Sequence, residues 1–242
     1  SRMVLATTVM PTTSGEPVRK EFERIFRKYG IPGAIRCDNG SPFISVQGRG
    51  GLTKLSAWWT TLGIKLVRSR PGCPQDNGAH ERMHRDLRQQ VQRNPSQDKM
   101  TQQRACDRWR QEFNHVRPHE ALGGKTPAEL YKPTTRRSLQ IAPYPYPIEW
   151  PTRRVKKNGC IRIENEDYFI GAAFVGLYIA FEPLASISHR LWLCDVDLGK
   201  VELAPPITTI ELAALNMRSK AGAHLHKIQS KRDENRENKK SA

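Results

Sequence analysis

Residues Gly30–Phe43 read GIPGAIRCDNGSPF, and the fold assignment works outward from them. Ala34–Cys37 is a short strand stopped by Asp38-Asn39-Gly40, a strong turn signal. Asp38 therefore sits at the C-terminal end of a strand, where α/β sheets place functional side chains. An Asp-Asn-Gly tripeptide by itself is an ordinary turn. Upstream, Gly30 terminates a helix signalled at Thr13–Pro17, with Val18, Phe22, Ile25, Phe26 and Tyr29 at helical spacing. Before that helix, Met3–Met10 (MVLATTVM) reads as a strand. Downstream of a Gly-rich stretch at Gln47–Gly51, Leu52, Leu55, Trp59 and Leu62 fit one face of a helix ended by Gly63. Ile64–Val67 is a strand, and Arg70–Gly78 (RPGCPQDNG) a Pro/Gly loop. Asp76 or Asn77 can cap a helix running to about Arg93. Further helices are expected at Met100–Val116 and from Thr126-Pro127. The alternation of strand and helix predicts an α/β domain over residues 1–131.

Composition narrows the partner. The 242 residues carry 40 Lys and Arg against 24 Asp and Glu, a net charge of +16. A polyanion is the natural counterpart, and nucleic acid the first candidate. The longest near-apolar run, Ala172–Phe181, is ten residues, against the roughly 20 that a bilayer-spanning helix needs. No membrane association is expected. Cys37, Cys73, Cys106, Cys160 and Cys194 contain no CxxC pair, which argues against a zinc finger and a disulfide framework. A reducing cytosol fits.

The composition shifts at residue 132. Residues 132–151 form a basic linker stiffened by Pro133, Pro143, Pro145, Pro147 and Pro151. Residues 152–210 read as short strands (153–156, 160–164, 168–170, 177–181, 191–196 and 200–203) parted by turn residues at 158–159, 165–167 and 198–199. That pattern predicts a small all-β barrel or sandwich. Residues 211–242 form a basic tail; from Arg218 onward it holds eight Lys or Arg against three Asp or Glu and is expected to be disordered.

Four blocks, taken in order, make the reading specific: GIPGAIRCDNGSPF (30–43), WWTTLGI (58–64), RPGCPQDNGAHERMHRDL (70–87) and FNHVRPHEALGGKTPAELY (113–131). In order and spacing they resemble the integrase core of bacterial insertion-sequence transposases, and the β-rich remainder resembles the small C-terminal barrel of that family. The resemblance implies a ribonuclease-H-like fold with an Asp-Asp-Glu triad holding two Mg²⁺ (or Mn²⁺) ions in the complete enzyme. Asp38 matches the second carboxylate. Glu81, 43 positions on, matches the third. Two hard ions roughly 3.5–4 Å apart can stabilise the attacking and leaving oxygens of a phosphoryl displacement. The implied reactions are 3′-end cleavage at transposon ends and strand transfer into target DNA, carried out by a homo-oligomer.

The family's first Asp has no match: Glu16, Glu21 and Glu23 are the acidic residues before Asp38, and all fall in or beside the first helix. The expectation is a core incomplete at its N-terminal edge, with little or no catalysis by this chain alone. The alternative is a non-catalytic DNA-binding remnant that occupies transposon ends or joins intact subunits. A different ribonuclease-H-like nuclease is disfavoured by the RPHEAL and TPAELY segments and the appended β domain. Arg85 and Arg88, four and seven positions after Glu81, share its helix face and are candidate phosphate contacts. The resemblance adds Asn77. On the β domain, Arg153, Arg154, Lys156 and Lys157 are candidates for sequence-independent backbone contacts. Trp58, Trp59, Trp109 and Phe113 read as core, and Arg117-Pro118-His119 as a structural helix end.

Overall fold

The computed structural model describes residues 1–13, 15–38, 40–69, 78–93, 95–163, 166–185 and 187–203. Asn77, the Asp76 or Asn77 cap, Cys73 and the predicted tail lie outside the described residues. The chain divides into two compact units, Ser1–Ile44 with Ile64–Gln140, and Ser45–Gly63 with Ile141–Ala242.

In the first unit, helix α1 (Glu16–Tyr29) starts with Pro17 in its first turn, where a missing N–H costs nothing. It stops at Gly30, whose N–H bonds the Phe26 carbonyl at 2.8 Å. Gly30 has φ +88°, and a Cβ there would collide with the Thr134 backbone, so this end needs glycine for two reasons. Strand β1 (Ala34–Cys37) pairs in parallel with β2 (Lys65–Arg68), with Cys37 opposite Arg68. Helix α3 (Gly78–Leu87) continues into a π turn over Arg88–Gln92. Helix α4 (Lys99–His115) starts from Asp98, whose side chain accepts from the Thr101 N–H. The short α5 (Pro127–Leu130) opens on a Thr126/Glu129 capping box. Leu87, Val91, Cys106, Trp109 and Phe113 bury one core together with Val4. The Trp109 and Phe113 rings lie 5.0 Å apart, as the i, i+4 spacing predicts.

The strand expected at Met3–Met10 does not form. Its backbone is held by side-chain amides of α4 instead. Asn114 Oδ1 accepts from Val4 N–H (2.9 Å) and its Nδ2 donates to Val4 C=O (2.8 Å). Gln103 Oε1 accepts from Val9 N–H (2.8 Å) and its Nε2 donates to Thr7 C=O (2.9 Å). The spacing suits this: three turns of helix between Gln103 and Asn114 rise about 16 Å, close to the reach of the five extended residues from Val4 to Val9. The segment thus lies along α4, held at Val4, Thr7 and Val9 by side-chain amides and not by a ladder.

In the second unit, a 3-10 turn (Arg49–Gly51) leads to α2 (Lys54–Thr61), which opens on a Thr53/Ser56 capping box. Leu55 through Thr60 are all buried, more than the single predicted face. Strands β3 (Thr152–Arg154), β6 (Tyr178–Pro183), β7 (Ser188–Leu193) and β8 (Val196–Glu202) form an antiparallel sheet in the order β3-β6-β7-β8. β4 (Cys160–Ile163) and β5 (Glu166–Phe169) form a separate two-stranded ribbon. The expected barrel is therefore corrected: among the described residues the sheets do not close. β3 has three residues and forms a ladder only with β6, and the β4–β5 ribbon forms no ladder with either edge of the larger sheet. The turn expected at Leu198-Gly199 is also corrected. Both residues lie inside β8 beside a register shift opposite Arg190 and Trp192, and Gly199 has φ +88°. A glycine within a strand pattern marks a bulge as readily as a turn. The chain reverses at Cys194-Asp195 instead.

Candidate functional site

The end of β1 is fixed before Asp38 begins. The Cys37 carbonyl accepts from both the N–H and the hydroxyl of Ser69, each at 3.2 Å, just past the end of β2. The next side chain, Asp38, is exposed. Its Oδ1 accepts the Gly40 N–H at 3.3 Å, a local turn that orients the carboxylate. Burial, and then the Asp38 charge, push the Cys37 thiol above its ordinary value, so this cysteine stays a neutral core residue.

Glu81 lies in the first turn of α3 and is exposed, where the helix dipole favours a carboxylate. His80, its neighbour in the chain, feels the charge of Asp38 as well. Desolvation on the side of its ring that lines a cleft, and then the neighbouring His84, hold the otherwise exposed His80 imidazole below its ordinary pKa, while Asp38 and Glu81 both pull it upward. Two carboxylates distant in sequence thus act on one imidazole. His80 and His84 themselves meet with Nε2 to Nε2 at 3.1 Å and ring centroids 4.2 Å apart. A cleft of about 1210 Å³ in the first unit borders this region, lined by Leu5, Phe22, Ile35, His80 and Met83 among others.

Arg85 and Arg88 are exposed. The opposite side of α3 is tied down by Asp86, a residue the sequence reading passed over. Its Oδ2 accepts from Trp109 Nε1 (3.2 Å) and from Arg117 Nη1 (2.5 Å), and its Oδ1 accepts from Gln90 Nε2 (2.7 Å). Arg117 also pairs with Glu112 at 2.9 Å. His119 packs edge-on against Phe113, with centroids 4.6 Å apart. These contacts give the Arg117-Pro118-His119 segment the structural role its sequence predicts.

In the second unit the basic residues divide. Arg153 Nε donates to the Arg162 carbonyl (3.4 Å), and Arg154 Nε to the Gly176 carbonyl (3.1 Å). Lys156 pairs with Asp167 at 2.6 Å, which offsets part of its charge. Lys157 is exposed. No helix among the described residues is long and apolar enough to cross a membrane.

The Integrase core domain family model matches residues 62–127, a span that contains Glu81, Arg85 and Arg88 and begins after Asp38. Over 102 residues the chain is 30% identical to the insertion element IS476 uncharacterized 39.2 kDa protein of Xanthomonas euvesicatoria, covering 42% of this chain and 28% of that protein. Over 118 residues it is 30% identical to the insertion element IS407 uncharacterized 31.7 kDa protein of Burkholderia multivorans, covering 48% and 40%. The chain spans less than half the length of these curated relatives. Among solved structures, the cryoEM structure of the simian T-cell lymphotropic virus intasome in complex with PP2A regulatory subunit B56 gamma matches 78% of this chain and 62% of that one, at 15% identity and a TM-score of 0.38. The chain is thus similar to the Integrase core domain family over residues 62–127 and to proteins of bacterial insertion elements over 42–48% of its length.

Proposed function

We propose that this chain handles DNA in integrase-type transposition, with a ribonuclease-H-like core in which Asp38 and Glu81 supply two of the metal-binding carboxylates. The supporting observation is their placement, Asp38 directly after β1 and Glu81 in the first turn of α3. They come from a strand end and a helix start, as a site between sheet and helix requires. Their oxygens suit a hard divalent ion such as Mg²⁺ or Mn²⁺ in kind. In number they fall short: among the described residues no group of three or more His, Cys, Asp or Glu side chains gathers where a metal ion could be held. The third carboxylate that the resemblance implies would come from outside the described residues or from another chain.

The second reading is that the chain by itself engages transposon ends, or joins complete subunits in an oligomer, without performing cleavage and strand transfer. Arg85 and Arg88, with Asn77, would contact DNA beside the carboxylates. Arg153, Arg154, Lys156 and Lys157 would add backbone contacts from the β domain.

The test is Mg²⁺- or Mn²⁺-dependent nicking and joining of DNA carrying the element's ends, comparing the chain with its Glu81→Gln variant. Binding without chemistry is expected for both. Metal-dependent joining that Glu81→Gln abolishes would show that the missing ligand is supplied, and would overturn the non-catalytic reading.

A further inference from the structure

Residues 80–84 read His-Glu-Arg-Met-His and lie within α3. The i, i+4 spacing puts both imidazoles on one helix face, and H-E-x-x-H on a helix is a spacing that lets two histidines share one ion. The geometry agrees. Two imidazole nitrogens, each about 2.0–2.1 Å from a common ion, stand about 2.9 Å apart at a right angle and about 3.3 Å apart at a tetrahedral angle. The Nε2 to Nε2 distance is 3.1 Å, within that window, and the rings, with centroids 4.2 Å apart, have to open by only a few tenths of an ångström to aim both nitrogens at one ion. Both histidines are exposed on α3, so an ion reaches them from solvent and water can fill its remaining positions.

We propose that His80 and His84 form a two-imidazole site for a borderline divalent transition metal of the Zn²⁺, Ni²⁺ or Cu²⁺ class. Nitrogen ligands select these ions over Mg²⁺, so the site differs in chemistry from the neighbouring carboxylates and stands whether or not those hold Mg²⁺. With no third His, Cys, Asp or Glu gathered there among the described residues, the pair is a binding site and not a hydrolytic centre. An ion bridging positions i and i+4 clamps the first turns of α3. It thereby fixes the helix start that carries Glu81 and sets a cation beside the face bearing Arg85.

Zn²⁺ binding to the whole chain, measured by competition with a chromophoric chelator in excess Mg²⁺, tests this. Comparison of wild type with variants cancels binding at other histidines. His80→Ala and His84→Ala each remove an exposed side chain, and circular dichroism checks that both still fold. Each is expected to weaken Zn²⁺ binding at least tenfold, while Glu81→Gln leaves it within about twofold of wild type. Electron paramagnetic resonance of bound Cu²⁺ is expected to show two imidazole nitrogens in wild type and one in either histidine variant. Equal Zn²⁺ affinity in wild type and the His80→Ala/His84→Ala double variant overturns the proposal. So does loss of Zn²⁺ on Glu81→Gln alone, which would place the ion on the carboxylates.

Discussion

Asn114 carries more of the first unit than its residue type announces. It is 0% exposed, and its amide bonds both backbone polar groups of Val4, much as a neighbouring strand would. Asn114→Ala leaves a buried N–H and a buried C=O without partners. At about 1–3 kcal/mol for each, the expected destabilisation is about 3 kcal/mol. Hydrogen exchange at Val4 and along α4 reads it locally, and unchanged protection there would contradict this role. No sequence pattern reveals such a residue, because a polar side chain on a helix normally reads as its solvent face and its partner lies 110 positions away. The same holds for Gln103 and Asp86. The places of Asp38 at a strand end and Glu81 at a helix start were legible from local signals, whereas the role proposed for them comes from the resemblance of the surrounding blocks and not from secondary structure. The contact between His80 and His84 was open to the same spacing logic, since i and i+4 share a face.

At the scale of elements, those that announce themselves chemically were found where expected. Pro17, Thr126 with Pro127, Gly30 and Gly63 mark helix ends by their own backbone constraints. The elements that depend on a distant partner were not. Met3–Met10 has strand composition, yet a strand exists only where another backbone pairs with it, and the amides of α4 supply those bonds instead. Barrel closure likewise depends on long-range pairing that short strands do not encode. To the apolar core that α3 shares with α4, Asp86 adds a polar tie, its one carboxylate serving Trp109 of α4, Arg117 just beyond it, and Gln90 of the π turn. Asp86→Ala strips three donors at once and is expected to cost about 2 kcal/mol, on the scale of hydrogen bonds to charged groups. Arg117→Ala is expected to cost less, because Trp109 and Gln90 keep their acceptor. In a double-mutant cycle the two changes together should cost at least about 0.5 kcal/mol less than their sum. Simple additivity would mean that the Asp86–Arg117 pair contributes nothing to joining the helices.

At the scale of the whole molecule the net charge of +16 attracts any polyanion, so DNA binding alone does not locate an interface. Salt dependence does. Each phosphate contact displaces condensed counterions and adds about 0.9 to the slope of log affinity against log salt. If the α3 face bearing Glu81 meets DNA, Arg85→Ala with Arg88→Ala should lower that slope by about 2. The same net charge can be removed elsewhere by Arg27→Ala with Lys28→Ala, in the last turn of α1. There Arg27 is paired with Glu23, and the general field of the protein changes equally. A diffuse attraction would respond alike to both pairs, since it depends on total charge and distance. A built interface responds to the α3 pair alone, because only those guanidinium groups replace ions at the phosphates. Equal slopes for the two double variants would remove α3 from the interface and leave the basic residues of the second unit as the surface to test next.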